Sequence, residues 1–161
     1  MTAAAIGDIS LFLGLFCFGF IAKIWLWPKL RSMTKVDALS ALLIFSGFRY
    51  LGLQFINPAV ANIPAGFAQT AAYGDFAVGL LAIVGALAIR FSQAVGVALA
   101  WVYAVCGSLD FMYAGKLAAE FQASDHIGAA WPIFHIGGPA WMVTLVLLFV
   151  TLIKHKDEAE A

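Results

Sequence analysis

The stretch DALSALLIFSGFRYLGLQFI, residues 37–56, decides the fold. It is one unbroken apolar run with Asp37 at its start, Arg49 inside it and Asn57-Pro58 directly behind. At 1.5 Å of rise per residue, about 20 helical residues cover the roughly 30 Å of a bilayer's hydrocarbon core. Asp37 reads as an N-cap and Asn57-Pro58 as a stop. Four more such runs occupy residues 6–27, 71–89, 94–115 and 132–153. Pro28-Lys29 closes the first, Arg90 bounds the third, and Pro132 takes a favoured first-turn position in the fifth.

The expected fold is therefore all-α: a polytopic integral membrane protein, a bundle of five transmembrane helices forming one domain over residues 1–161. Residues 154–161 are expected to form a solvated cytoplasmic tail that includes His155. Composition agrees, with 63% hydrophobic and 11% charged residues and a mean hydropathy of +0.95. Nine acids and nine bases are too few to cover a soluble core of this apolarity. A net charge of zero leaves no basic stripe to displace phosphate counterions, which excludes nucleic acid as a partner. The first run has no basic segment before it and no small-residue cleavage site after it, so it reads as a retained span.

Basic residues set the expected orientation. Lys29, Arg31 and Lys35 follow the first span, Arg90 the third, and Lys154 and Lys156 the fifth, all on one side. The other side has only Lys116. The reading is N-terminus out and C-terminus in, in a bacterial inner membrane. Lys23 snorkels to headgroups, and Trp25, Trp27, Tyr73 and Trp131 suit the interfacial belts. Residues 57–70 read as an ordered loop folded back on the bundle, and residues 116–130 as a short surface helix with Leu117 and Phe121 on one face. Gly96, Ala100, Ala104 and Ser108 form a small-residue stripe that favours the fourth span as the central packing helix.

The ionisable residues inside the spans are few and fall at similar depths. Arg49 lies about 18 Å and Asp110 about 24 Å from the inner edge, while Asp75 and His135 each lie one turn inside the outer ends of their spans. A charge at such depth costs a few kcal/mol unless paired or wet, and guanidinium does not escape by losing a proton. Arg49 is expected to pair with Asp75, Asp110 or both, in an outward-facing polar pocket. Tyr103, Cys106, Asp110 and Tyr113 share roughly one helical face. Pro139 lacks an N–H and leaves the carbonyl of His135 without its helical donor, beside Gly137 and Gly138.

The candidate ligand-binding residues are Arg49, Asp75, Asp110, Tyr113 and His135, with Tyr50, Tyr103 and Trp141 secondary. Trp101, like Trp141, sits deeper than an interface and is a second candidate cavity liner. An arginine in such a pocket suits an anionic group such as a carboxylate. No metal or cofactor is expected, because His126 and His135 have no third ligand at metal spacing. Cys17 and Cys106 read as small buried apolar residues. No nucleotide, esterase or zinc-protease motif is present.

Three functions are consistent with this pattern. The first is a module that binds, or helps to translocate, a small polar or amphipathic ligand; without a visible inverted repeat, translocation would require a homo-oligomer. The second is a structural or accessory subunit that meets a membrane partner, with its ion pairs holding the bundle. The third is a small membrane enzyme on a lipid-soluble substrate, with Asp110 or His135 as acid or base.

Overall fold

The structure, a computed structural model, describes residues 3–155; of the tail expected at 154–161, all but Lys154 and His155 lie outside the described residues. Among the described residues there is no strand. Five helices are long and apolar enough to cross a membrane: α1 (Ala5–Arg31), α2 (Lys35–Ile56), α3 (Ala65–Phe91), α4 (Gln93–Glu120) and α5 (Gly128–Lys154). They alternate in direction. One end of the bundle carries the loop at residues 57–64 and the α4–α5 turn, and will be called the loop end. The other carries Lys35, Arg90 and Lys154, and will be called the basic end.

The helices outrun the expected spans, for identifiable reasons. Lys116 to Glu120 are good helix formers, so α4 continues to Glu120 and no separate surface helix forms over residues 116–130. A left-handed Gln122 (φ 49°) ends α4 and leads into short 3-10 turns at Ala123–Asp125 and Gly128–Ala130. Residues 57–64 do fold back on this turn: Ala129 N donates to Val60 O (2.8 Å) and Asn62 N to His126 O (3.2 Å). The N-cap of α2 is Thr34 rather than Asp37. The Thr34 hydroxyl oxygen accepts from Asp37 N (3.2 Å) and its O–H donates to the Asp37 carboxylate (2.8 Å), a reciprocal cap with the acid three residues in.

Neither Pro28 nor Pro139 stops its helix. Each follows a five-residue π-helical segment, Ala22–Leu26 and Ile133–Gly137, and the residue just before each proline donates five residues back, Trp27 N to Ala22 O and Gly138 N to Ile133 O. The proline ring clashes with the carbonyl four residues earlier; one wide turn relieves that clash and lets the helix continue. Gly14 of α1 lies against the second bulge, where an added Cβ would come within 2.8 Å of the Pro139 ring and 3.0 Å of the His135 carbonyl oxygen.

The central helix is α3, which packs between α2 and α4; of its most apolar window, 44% is buried, against 28% for α4. The stripe on α4 does face inward, with Gly96, Ala100 and Ala104 buried, yet the rest of that helix stays open. In α1 only 6% is buried, and it leans mainly on α5. Cys17 and Cys106 are exposed and free, not buried: each lies on an outward face of a peripheral helix, where a small apolar thiol meets no packing demand. Trp101 is 39% exposed and packs edge-on to Phe149, away from the two cavities described below. At the basic end, Lys35 Nζ donates to Leu152 O (3.1 Å) and a ring nitrogen of His155 pairs with Leu30 O (3.1 Å). His155 is thus half-buried rather than solvated, because it closes the last turn of α5 against α1.

Two apolar clusters fill the interior. One, toward the basic end, includes Leu39, Leu43, Val78, Ala82, Ala104 and Leu148. The other, at the loop end, includes Phe55, Phe67, Ala71, Leu117 and Ala130. Arg49 and Asp75 lie between them.

Candidate functional site

Arg49 owes its position to a change of helix type. From Phe48 to Ile56, α2 is a 3-10 helix, with three residues per turn, so positions i, i+3 and i+6 eclipse. Arg49, Gly52 and Phe55 therefore share one face, and these three are the buried residues of the segment. In an α-helix the same three would drift around the axis. The stack puts a cation and a phenyl ring at two levels of one wall, with a gap at Gly52 between them.

Two carboxylates enter from the neighbouring helices. Asp75 of α3 accepts from Arg49 Nε (2.8 Å) and Nη2 (2.6 Å), both at Oδ1. Asp110 of α4 pairs through Oδ2 with Nη2. The guanidinium carbon sits 4.0 Å from the centroid of the Phe111 ring, and Nη1 makes only a long contact to Gly107 O (3.5 Å). Close approach of backbones makes this convergence possible. An added Cβ at Gly52 would collide with the Asp75 carboxylate, and one at Gly74 with the Asp110 carboxylate. Arg49 is fully buried, while the Asp75 and Asp110 side chains keep 12% and 16% of their surface accessible.

The expected pairing of Arg49 thus involves both acids, and its stoichiometry changes the chemistry. One guanidinium faces two carboxylates, a formal charge of −1 for the cluster. An anionic ligand would compete with two carboxyl groups for this arginine.

Tyr103 is brought to the cluster. It is fully buried, with Ser46 and the Arg49 guanidinium as polar neighbours, yet its hydroxyl has no hydrogen-bond partner. Ser46 Oγ spends its hydrogen on Leu42 O (2.8 Å). The other tyrosines are not brought in. Tyr113 is 53% exposed and Tyr50 44% exposed; over the ten-residue step from Tyr103 the helix turns Tyr113 outward, and Tyr50, one residue after Arg49 and so about a third of a turn around the axis, packs on Phe48 instead.

His135 also stands apart. Its Nδ1 pairs with Trp131 O (3.2 Å), and its Nε2, buried without a partner, points toward Gly7 and Ser124, beside α1 and the α4–α5 turn. His135 thus faces α1 and the α4–α5 turn, while Phe134 beside it packs on Phe55 and Phe67 in the interior.

Beside the charged cluster is a cavity of about 270 Å³. Arg49 and Asp75 form its polar wall; the rest is apolar, with Phe55, Phe67, Phe111, Phe134 and Trp141 among aliphatic side chains and glycines. Trp141, a secondary candidate from the sequence, is buried there. Phe55, Phe67 and Phe134 come from three helices and stand at the corners of a near-equilateral triangle, with centroids 6.0, 6.3 and 6.4 Å apart. Gly115 and Gly138 also line the cavity, and a Cβ added at either would meet open space. Met112 and Gly115 are exposed, so the cavity opens sideways between α1 and α4 rather than at the bundle's end. A second, larger groove of about 620 Å³ follows α1 toward Lys23 and shares Phe111, Met112 and Met142 with the first.

The aromatic wall was not singled out by sequence reasoning. Its one sequence signal is the unusual supply of phenylalanine, fourteen residues, which in so apolar a chain does not separate lining from packing. Among the described residues no group of His, Cys, Asp and Glu has the arrangement to hold a metal ion. Residues 6–153 match the model of a family described as a domain of unknown function (DUF8737), and the chain belongs to that family. No curated protein and no solved structure matches it.

Proposed function

We propose that this family member is a multi-pass protein of a bacterial inner membrane, with its N-terminus outside and C-terminus inside, that binds a small amphipathic molecule in the cavity beside Arg49 and Asp75. The observation that carries the reading is the partition of that cavity: one polar wall with a partly accessible carboxylate, facing aromatic and aliphatic side chains. Small-molecule sites combine a largely apolar lining with a few fixed polar groups in this way. The sideways mouth and the adjoining apolar groove favour a ligand that arrives from the acyl-chain region of the bilayer. The basic residues gathered at one end support the orientation.

An accessory-subunit role is favoured by a different observation. Arg49 is matched by acids from two other helices, an arrangement that fixes helix register whether or not anything binds. The two readings part on a cavity-filling variant. Gly115→Leu occupies open space without touching the ion pairs, so the fold should persist. Under the binding reading, a panel of small amphipaths raises the unfolding temperature of the purified protein in detergent, and Gly115→Leu abolishes the rise. If no compound in the panel shifts the wild-type protein, the register role is what remains. Orientation is tested separately in a background lacking Cys17 and Cys106: Asn62→Cys should react with an impermeant maleimide in intact cells, and Ser92→Cys only after lysis.

A further inference from the structure

We infer that the cavity is selective for a lipophilic cation, an ammonium group carrying a small apolar body; this rests on the binding reading above and assigns it a ligand class. Three independent observations converge. First, acids outnumber bases in the cluster behind the wall, since Arg49 meets both Asp75, which lines the cavity, and Asp110, which does not. In a low-dielectric interior an unmatched carboxylate is costly, and a cation delivered to the cavity offsets that cost. Asp75 directs both of its bonds from Arg49 to a single oxygen, Oδ1, and its side chain still faces the cavity. Oδ2 takes no bond from Arg49 and lies against Gly52.

Second, the opposite walls are aromatic. Aromatic faces attract cations through their quadrupole, and cages of several rings are a recurring device for quaternary ammonium groups. Here five aromatic residues contribute to the lining of about 270 Å³, and one of them, Phe111, already holds the guanidinium carbon at 4.0 Å. Third, the Tyr103 hydroxyl is fully buried beside the cluster, next to Ser46 and the Arg49 guanidinium, without a well-formed hydrogen bond to either. It gives the cluster one more hydrogen-bonding group within reach of Arg49.

The volume limits the ligand to a small body. Gly115 and Gly138 provide that volume, since a side chain at either position would project into the open space. A neutral molecule of the same shape would gain the apolar contacts but not the charge, and an anion would be repelled by the surplus carboxylate.

The test uses three probes of matched shape on the purified full chain: benzyltrimethylammonium, its uncharged isostere neopentylbenzene, and the anion phenylacetate. Binding is followed by thermal stabilisation and by competition. The expected result is that the ammonium binds at least about tenfold tighter than the isostere, with the anion weakest. Asp110→Asn removes one formal charge and keeps the Arg49–Asp75 pair; it should bring ammonium and isostere within about threefold of each other while isostere binding is retained. Phe134→Leu leaves every charge in place and should reduce the ammonium preference severalfold, a second readout should the Asp110 variant not fold. Equal binding of ammonium and isostere by the wild-type chain would overturn the cation assignment and leave the cavity reading standing. Tightest binding by the anion would overturn it too, with Arg49 dominating. Binding of none of the three, with Gly115→Leu behaving as wild type, would remove both readings.

Discussion

Among the described residues two arginines pair with aspartates, in opposite surroundings. Arg90 Nη1 meets Asp37 Oδ1 at 2.9 Å at the basic end, with 57% and 41% of the two side chains exposed. Arg49 meets Asp75 at 2.6 Å with its own side chain 1% exposed. The atoms and distances are nearly the same, and the energetic roles are not. An exposed pair exchanges water for a partner at little net gain. A buried one cannot fall back on water, so each member depends on the others. The contrast teaches that contact distance says little about importance, and that the third member, Asp110, distinguishes the buried cluster from a simple pair.

The largest expected effect comes from deleting the buried cation. Arg49→Ala leaves two carboxylates facing each other without a counter-charge and should destabilise the fold by about 3–5 kcal/mol, read as the shift in a detergent unfolding transition. Arg49→Lys should recover little of this, because an ammonium does not reproduce a planar fork that reaches Asp75 through Nε and Nη2 and Asp110 through Nη2. Recovery of most of the stability by lysine would show that charge alone matters, and the contrast would lose its geometric half.

Next in size is Gly74→Ala, which leaves every charge in place. Its Cβ would collide with the Asp110 carboxylate, so one member must retreat, at a cost of about 1–3 kcal/mol. If this variant unfolds like the wild type, the third member contributes nothing to the buried cluster. Smallest is Arg90→Ala, which should leave the unfolding transition unchanged within error. A large effect there would mean that the exposed pair, which bridges the start of α2 and the end of α3, closes the bundle, and the distinction drawn between the two sites would fail.

The need for a partner at Arg49 was legible in the sequence, because no residue type is harder to neutralise and Asp75 and Asp110 were the acids at matching depth. Rotation around each helix axis was not. Tyr113, Tyr50 and His135 fall at the right height and point elsewhere, because consecutive helical residues face different sides and a depth count carries no azimuth. Counting at 1.5 Å per residue fixes height well and azimuth poorly wherever the helix type changes. The same limit hid the Phe55, Phe67 and Phe134 triangle, which exists only as a meeting of three helices.

The residues by themselves determined that five apolar helices form and that one buried cation requires acids nearby, since both follow from transfer energies that belong to single segments and side chains. Packing alone decided that two acids meet the arginine, that α3 rather than α4 is central, and that an aromatic-walled space stays open beside them. Those outcomes depend on how closely backbones approach at Gly52 and Gly74 and on local windings that no hydropathy pattern encodes.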